Sequence, residues 1–323
     1  MSRINGCLVV CAVLVATLAL PVHAQSYPDR PIRLVVGFGP GSGADTIARV
    51  LAERLAERLK VPVIVENREG AGGAIGATNV AKSPPDGYTL MLGASPMTVT
   101  PHMQAAPGYD PVKDFVAIIK VAELPLLLIT SPTTPYKSLK ELIAYAKQNP
   151  RKLSYATSGK GSPSHLSVEL IRQATGIEVV DIPYKNVGQA MTDALSGNVS
   201  FYFPGFPGAL PHVRSGKARA LAVGSVKRSA RLPEVPTLAE EIGMPGLEVI
   251  TWYGLFAPAG TPKEITSRLA TEMARVMDQP DTREKLAATG VDVAVVAGEE
   301  FAAEVRSDSR KYGKLVRELG LKE

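Results

Sequence analysis

Short apolar runs alternate with amphipathic segments along most of the chain. Residues 32–38 form a mostly apolar run of strand length, and residues 45–59 then place apolar side chains at helical spacing on one face. The second half repeats this order. Residues 153–156 predict a short strand, and Ser162-Pro163 has the residue types of an N-cap and a first helical position. This alternation predicts an α/β protein with largely parallel sheets.

The first 24 residues have the pattern of a secretory signal peptide. Arg3 precedes an apolar stretch at residues 7–20, and Val22-His23-Ala24 provides the residues expected before a cleavage site. The apolar stretch is too short to span a bilayer comfortably, which disfavours the alternative of a retained membrane anchor. The sequence therefore predicts a signal peptide at residues 1–24, cleavage near Ala24 and export to the periplasm.

Composition narrows the class of protein. At 323 residues, with 45% hydrophobic and 21% charged, the chain has the size of two globular domains. Its net charge of +5 is not concentrated in runs and only 6% of its residues are aromatic, so nucleic acid is not an expected partner. Both cysteines, Cys7 and Cys11, precede the predicted cleavage site. The exported protein would therefore have neither a disulfide nor a cysteine nucleophile.

A glycine-rich loop follows the first predicted strand. Residues 39–44 match the G-x-G-x-x-A outline of a dinucleotide-binding loop, and Glu66 stands where a ribose-binding acid would be expected. However, Pro40 lacks an amide hydrogen, Asp45 brings negative charge to the helix start, and nicotinamide cofactors are scarce outside the cytoplasm. We therefore predict no cofactor. Free amides at the helix start are expected to bind an anion, with Asp45 bonding nearby amides, and a tight turn without a ligand is the alternative.

A second loop of the same type occurs in the other half of the chain. Residues 157–162 combine three hydroxyl side chains with two glycines at a predicted helix start. Residues 181–186 end another strand, and their Lys185 is either a ligand contact or a solvated surface charge. Two such loops from different domains would form a cleft lined by backbone donors, which suits a small oxyanion.

The order of several short motifs resembles the Bug-type periplasmic solute receptors of tripartite tricarboxylate transporters. The resemblance runs through nearly the whole exported chain. It is carried by residues 35–45, 65–73, 86–90, 153–159, 161–166, 183–185, 232–237 and 257–262. Each motif alone is short, but their joint presence in this order is specific.

This resemblance implies a type II periplasmic-binding fold, in which two α/β domains joined by two crossover strands close on a ligand. Domain 1 would comprise residues 25–121 and 226–323, and domain 2 residues 122–225. The protein would be a monomeric receptor rather than an enzyme. It would bind a small carboxylate and have a membrane transporter of the tripartite tricarboxylate type, or a sensor protein, as its partner. The implied ligand contacts are Phe38, Gly39, Pro40, Gly41, Ser42, Ala94, Ser95, Thr157, Ser158, Gly161, Ser162, Tyr184, Lys185, Phe203 and Pro204.

Two positions depart from the family pattern. Asn186 stands where the family usually has glycine, and Pro204 ends a predicted strand where an acidic residue is usual. In amino-acid-binding members, that acid can pair with the ligand ammonium. Because a buried unpaired charge is costly, Pro204 predicts a ligand without an ammonium group, either a di- or tricarboxylate or an aromatic acid.

A hydrolase is the main alternative class. Ser162 and His165 are three residues apart, and a serine nucleophile needs a base within hydrogen-bonding reach. His165 falls at the start of the predicted helix, where a capping or packing histidine is the simpler interpretation. The histidines that remain after cleavage lack the spacing of a metal site, so neither a metal nor a catalytic residue is predicted. A structural or adhesion protein, the third class, would bind no small ligand.

Overall fold

The computed structural model describes residues 27–322 except residues 185, 246, 289 and 290. The predicted signal peptide and its cleavage site near Ala24 lie outside the described residues. The strands are β1 (Ile32–Val36), β2 (Val63–Asn67), β3 (Thr89–Ala94), β4 (Phe115–Pro125), β5 (Leu127–Thr130), β6 (Ser154–Thr157), β7 (Val180–Pro183), β8 (Phe201–Tyr202), β9 (Arg219–Val223), β10 (Ile250–Pro258) and β11 (Asp292–Ala297). The helices are α1 (Gly43–Leu59), α2 (Ala74–Ala81), α3 (Thr100–Met103), α4 (Leu139–Gln148), α5 (Pro163–Thr175), α6 (Val187–Ser196), α7 (Phe206–Arg214), α8 (Leu238–Ile242), α9 (Lys263–Met277), α10 (Pro280–Ala288) and α11 (Glu299–Glu318). None of these helices combines the length and the hydropathy needed to cross a membrane.

Local sequence explains where α1 and α5 begin. Ser42 caps α1 by accepting a hydrogen bond from the Asp45 amide, and Ser162 caps α5 by accepting one from the His165 amide. Pro163 is the first residue of α5, a position where an amide hydrogen would have no helical partner in any case. The N-cap predicted at Ser162 is therefore confirmed.

The strands form two mixed sheets. The first sheet has the order β11-β4-β10-β3-β1-β2, and the second has the order β7-β6-β8-β5-β9. Pairing is parallel within β2-β1-β3 and β7-β6-β8, and antiparallel where β10 meets β3 and β4 and where β5 meets β8 and β9. The expectation of largely parallel sheets is therefore wrong. The chain leaves the first sheet at the end of β4 and re-enters it at the start of β10. These two neighbouring strands therefore run in opposite directions.

The chain passes between the two sheets twice. β4 continues through Leu126 into β5, and the return runs from Val249 into β10. Gly224 ties these crossings together, because its amide donates to the Leu126 carbonyl oxygen and its own carbonyl accepts from the Val249 amide, both at 2.8 Å. A β-carbon at Gly224 would lie 2.3 Å from the Val249 carbonyl oxygen, so only glycine fits this close approach. Two α/β domains joined by two crossovers form the expected type II periplasmic-binding fold.

Pairing and burial describe the neighbourhood of the two crossings. β4 pairs with β10 through Pro125. Leu238 and Val249 are buried in the core of the second sheet. The domain limits expected from the sequence, after residues 121 and 225, stay a prediction.

The two domains touch through an apolar contact at the start of α5. Leu166 of α5 packs with Val99 of the first domain and with Tyr312 and Val316 of α11. Gly161, just before α5, lies against Met103, whose sulfur would be 2.1 Å from a β-carbon at this glycine. This apolar contact brings the start of α5 close to the first domain.

Candidate functional site

The first loop, residues 38–42, connects β1 to α1 and is held by its own hydrogen bonds. The Gly41 amide donates to Asp45 Oδ2 (2.9 Å), and the Asp45 amide donates to Ser42 Oγ (3.2 Å). The Ser42 amide in turn donates to the Gly39 carbonyl oxygen (3.2 Å). Gly41 has a φ of 80°, in the left-handed region that favours glycine. The expectation that Asp45 bonds a nearby amide is confirmed.

The Asp45 carboxylate is buried and occupied by protein donors. It is 3% exposed and accepts hydrogen bonds from Arg49 Nε and Asn67 Nδ2, each at 2.9 Å. The hydrogen bond from Arg49, helped by those from Gly41 and Asn67, lowers the pKa of Asp45 to about 2 against the opposing effect of burial. Arg49 is also its ion-pair partner (2.9 Å), so the negative charge at the start of α1 is compensated within the protein.

The second loop, residues 157–162, connects β6 to α5 and repeats this bonding scheme. The Gly161 amide donates to His165 Nδ1 (3.3 Å), and the His165 amide donates to Ser162 Oγ (3.3 Å). The Ser162 amide donates to the Gly159 carbonyl oxygen (3.1 Å), and Gly161 has a φ of 76°. The second domain therefore builds the same loop with a histidine where the first domain has an aspartate.

Thr157 fixes the second loop through hydrogen bonds of its hydroxyl group. Its side chain is fully buried. Its hydroxyl donates to Asp181 Oδ1 (2.7 Å) on β7 and accepts from the Gly159 amide (3.1 Å). Because the hydroxyl proton is used inside the protein, Thr157 positions the loop, whereas the neighbouring Ser158 is exposed.

Both helices that start at these loops present unpaired backbone donors. Among the described residues, none accepts a hydrogen bond from the amides of Gly43 and Ala44 in α1 or of Ser164 in α5. Unpaired amides in the first turn, together with the helix dipole, attract anions. Each domain therefore directs positive potential from one helix start.

The first loop meets a separate cavity at each of its ends. The polar cavity, of about 430 Å³, is lined by both loops. Its lining includes Phe38, Thr100, Gln104, Ser158, Lys160 and Ser162. The apolar cavity, of about 460 Å³, also lies between the domains. Its lining includes Gly43, Leu124, Met191, Pro204, Pro207 and Tyr253.

Several predicted contacts border these cavities. Gly161 joins Phe38, Ser158 and Ser162 around the polar cavity, and Gly41 joins Pro204 around the apolar one. Ser42 caps α1 between the two, while Gly39 and Pro40 belong to the first loop but line neither cavity. Ser95 lines a separate space of about 20 Å³ beside Gly161.

Other predicted contacts point elsewhere. Phe203 is fully buried in the core of the second domain, and Ala94 is 3% exposed within β3. Tyr184 donates from its hydroxyl to Asp193 Oδ2 (2.8 Å). Burial, followed by this contact with Asp193, raises the pKa of Tyr184 to about 12. Lys185 lies outside the described residues.

Of the cavity-lining residues that the sequence analysis missed, Lys160 and Tyr253 bear most on ligand binding. Lys160 is an exposed cation inside the second loop and lines the polar cavity. Its position within the glycine-rich motif was a usable signal. Tyr253 lines the apolar cavity but comes from β10, which the sequence analysis did not predict. No local signal connects this tyrosine with the first loop.

The geometry around Ser162 bears on the hydrolase alternative. Ser162 Oγ accepts from the His165 backbone amide, while His165 Nδ1 accepts from Gly161. In the part of the chain that the structure describes, no hydrogen bond joins the Ser162 hydroxyl to the His165 ring. The same part holds no group of three or more histidine, cysteine, aspartate or glutamate side chains placed to bind a metal. His165 thus serves the loop, as the simpler interpretation predicted.

Two α/β domains around a cleft bordered by paired, anion-attracting loops define a solute-binding protein of the periplasmic type. A family model described as "Tripartite tricarboxylate transporter family receptor" matches residues 47–321. The chain belongs to this family, whose receptors are periplasmic. The resemblance to Bug-type receptors is therefore confirmed.

Individual relatives agree with this assignment. Protein BugT of Bordetella pertussis is 38% identical over 319 residues, which cover 98% of this chain and 98% of that protein. The structure of R. palustris Rpa4515 with adipate shares 35% identity at a TM-score of 0.77, covering 91% of this chain and 98% of that chain. The structure of MatC (Rpa3494) from Rhodopseudomonas palustris with bound malate shares 33% identity at a TM-score of 0.75, covering 90% of this chain and 100% of that chain. Similar chains are thus solute-binding proteins.

Proposed function

We propose that the protein is a periplasmic receptor that binds a small organic carboxylate between its two domains and presents it to a tripartite tricarboxylate-type transporter. The observation that carries this proposal is the pairing of the two loops. They come from different domains, share one bonding scheme and both line the polar cavity. Each loop leads into a helix with unpaired first-turn amides, so both domains would attract an anion held between them; of these amides, that of Gly43 borders the apolar cavity.

Lys160 and the relatives support a carboxylate in particular. Lys160 is the cation of the second loop that lines the polar cavity, and it forms no ion pair with the other described residues. A carboxylate there would gain charge attraction in addition to backbone hydrogen bonds. Rpa4515 was solved with adipate and MatC with malate, both of which are dicarboxylates.

The proposed contacts follow from the cavity linings. We propose that Phe38, Ser158, Lys160, Gly161 and Ser162 meet the ligand in the polar cavity, and Gly41 and Pro204 in the apolar one. Thr157 and Ser42 would position the loops. Contacts from Gly39, Pro40, Ala94, Ser95, Tyr184, Lys185 and Phe203 stay predictions, as does cleavage near Ala24.

Pro204 supports a ligand without an ammonium group. Pro204 lines the apolar cavity, where the family pattern would place an acid, and no described acidic side chain lines either cavity. An amino acid would therefore leave its ammonium without a carboxylate partner. We expect succinate to bind at least about tenfold more tightly than aspartate, and 3-phenylpropanoate more tightly than phenylalanine. Equal affinity within both pairs would contradict this part of the proposal.

Calorimetric titration tests the receptor function directly. The exported protein would be unfolded, freed of any retained ligand and refolded, then titrated with citrate, malate, succinate, glutamate, nicotinate, benzoate and terephthalate. Saturable one-to-one binding of at least one acid is the expected result. Because hydrolysis is the rival class, p-nitrophenyl acetate would be assayed beside it with Ser162→Ala as the matched variant. Folded protein that binds none of the acids, or ester hydrolysis that Ser162→Ala abolishes, would overturn the proposal.

A further inference from the structure

The apolar cavity is bordered by a tyrosine hydroxyl that bonds to none of the described residues. Tyr253 is 7% exposed and lines this cavity. No described residue exchanges a hydrogen bond with its hydroxyl, whereas the hydroxyl of Tyr136, 2% exposed, donates to the Ser200 carbonyl oxygen (2.8 Å). The side chain is thus largely buried, while its hydroxyl borders the cavity with a donor proton that these residues do not use. Such a group facing a cavity is therefore suited to a ligand that accepts its proton.

The backbone places this hydroxyl beside the start of α1. Tyr253 pairs with Ala94 of β3, and an irregularity in the pairing with β4 falls between Tyr253 and Gly254. Bulges of this kind redirect side chains and are common next to functional sites. The hydroxyl oxygen lies 3.4 Å from the point that a β-carbon would occupy at Gly43. Tyr253 is thus next to the unpaired first-turn amides of α1.

The hydroxyl is a donor under ordinary conditions. Burial raises the pKa of Tyr253 to about 12, so the hydroxyl keeps its proton at neutral pH. The nearby Asp45 carboxylate does not compete for that proton, because it is already bonded to Arg49, Asn67 and Gly41. The tyrosine hydroxyl and the helix amides can therefore serve one anionic group together.

Most other side chains that line this cavity are apolar. Leu124, Met191, Pro204 and Pro207 line it from both domains. Thr46, its other polar side chain among the described residues, donates its hydroxyl proton to the Ser42 carbonyl oxygen (3.1 Å). No charged side chain of the described residues lines it. A second carboxylate would find no partner on these walls, while an alkyl chain or aromatic ring would lose apolar surface to them.

We infer that Tyr253 binds the ligand directly, its hydroxyl donating a hydrogen bond to a carboxylate oxygen of an acid whose hydrocarbon body fills the apolar cavity. The inference rests on the proposed receptor function and narrows its ligand class. The preferred ligand carries one carboxylate on an alkyl chain or aromatic ring. The polar cavity with Lys160 would remain the place for any further polar group.

Tyr253→Phe separates a ligand contact from a structural role. Wild type and variant would be titrated with hexanoate, benzoate, malate and citrate after refolding, and their thermal unfolding would be compared. Removing a hydroxyl that bonds to none of the described residues should leave Tm unchanged and weaken binding of hexanoate or benzoate about tenfold. Tyr136→Phe is the matched control: it removes the hydrogen bond to Ser200, so it should lower Tm and leave affinity as it was.

Gly43→Ala provides a second route to the same hydroxyl. Its methyl group would sit 3.4 Å from the Tyr253 oxygen and cover it from the ligand. We expect the affinity lost in Gly43→Ala and in Tyr253→Phe to be non-additive in the double variant, because both remove one hydrogen bond. Fully additive losses would point to unrelated effects and count against the inference.

The possible outcomes separate a failure of this inference from a failure of the proposed receptor function. Wild-type affinity in Tyr253→Phe would overturn the role of the tyrosine while leaving the receptor intact. Binding of malate or citrate but of neither hexanoate nor benzoate would overturn the ligand class. Binding of no acid by folded wild type would overturn the receptor function, and the inference would fall with it.

Discussion

Asp45 and His165 occupy equivalent positions in the two domains, since each side chain accepts the amide hydrogen of the glycine four residues before it. One turn further along its helix, Asp45 has Arg49 as an ion-pair partner (2.9 Å), whereas His165 has the buried Glu169. The two domains therefore use opposite charge patterns to hold the same backbone loop. Only histidine titrates near neutral pH, so acid should affect the two loops at different points.

Mild acid should destabilise the fold through His165. Burial, its largest influence, lowers the pKa of His165, and Arg172 and Lys160 act in the same direction, against Glu169 and Asp181. An unfolded histidine takes up its proton near pH 6.5, before the folded one does. Stability therefore falls as the pH drops from about 6.5 towards the folded pKa. His165→Asn should reduce this pH dependence of stability, because asparagine does not titrate. The loop should be kept, since Oδ1 of asparagine can replace Nδ1 as the acceptor for the Gly161 amide.

Urea unfolding between pH 7.5 and pH 4.5 measures this difference. Burial also lowers the pKa of His102, which contacts Ser309 rather than either loop. His102→Asn is thus the control. In this variant the free energy of unfolding should still fall with pH by the amount that His165 contributes. An unchanged slope in His165→Asn would contradict the prediction.

Asp45 should stabilise the protein at neutral pH and lose this effect only in strong acid. Its pKa of about 2 lies below the unfolded value near 3.9, so its contribution is complete above about pH 5 and is mostly lost as the pH falls towards 2. We expect Asp45→Asn to lower the free energy of unfolding at pH 7 by roughly 2 kcal/mol. The cost at pH 2 should be smaller, because wild-type Asp45 is by then partly protonated. The exposed Asp278→Asn, which loses only a surface ion pair with Arg283, should cost below about 1 kcal/mol.

The sequence was sufficient to predict the two loops because their signals are local. Ser42 and Ser162 cap the helices that follow them, and the glycines at 41 and 161 adopt positive φ within the same few residues. Tyr253 could not be found this way. It reaches the first loop only because β10 pairs with β3, and strand pairing between distant segments has no sequence period of its own. The mixed sheets were missed for the same reason.

The predicted contacts that point elsewhere have a related cause. Membership of a loop or strand end says where the backbone is, but not whether the side chain faces the cleft. Thr157 directs its hydroxyl to Asp181, and Phe203 lies fully within the core. Both orientations depend on neighbouring strands of the second sheet.

Thr157 should matter for ligand affinity through the position of the second loop. Thr157→Val keeps the shape of the side chain but leaves Asp181 Oδ1 and the Gly159 amide without their partner. We expect a loss of about 1–3 kcal/mol in stability and weaker binding of whichever acid the wild type prefers. Thr157→Ser restores the hydroxyl and should recover both properties. If Thr157→Ser behaves like Thr157→Val in calorimetry and urea unfolding, the hydroxyl is not what positions the loop.

Lys160 should add charge attraction to the polar cavity, and salt should weaken that contribution. The side chain is exposed, so water and ions screen it and its effect on affinity is limited to about 1 kcal/mol, or roughly fivefold in Kd. We expect Lys160→Met to weaken the binding of a dicarboxylate by this factor at low ionic strength, and the difference from wild type to shrink as the concentration of sodium chloride is raised.

Lys147→Met is the control. It removes an exposed charge from α4, away from both cavities, and should change neither the affinity nor its salt dependence. A Lys160→Met protein that binds dicarboxylates as tightly as wild type at low salt would show that Lys160 does not contribute to affinity. Calorimetric titrations at two salt concentrations decide between these results. If Lys160 attracts the ligand, the affinity of Lys160→Met should depend less on salt than that of wild type; if the helix amides alone attract it, the two proteins should respond to salt alike.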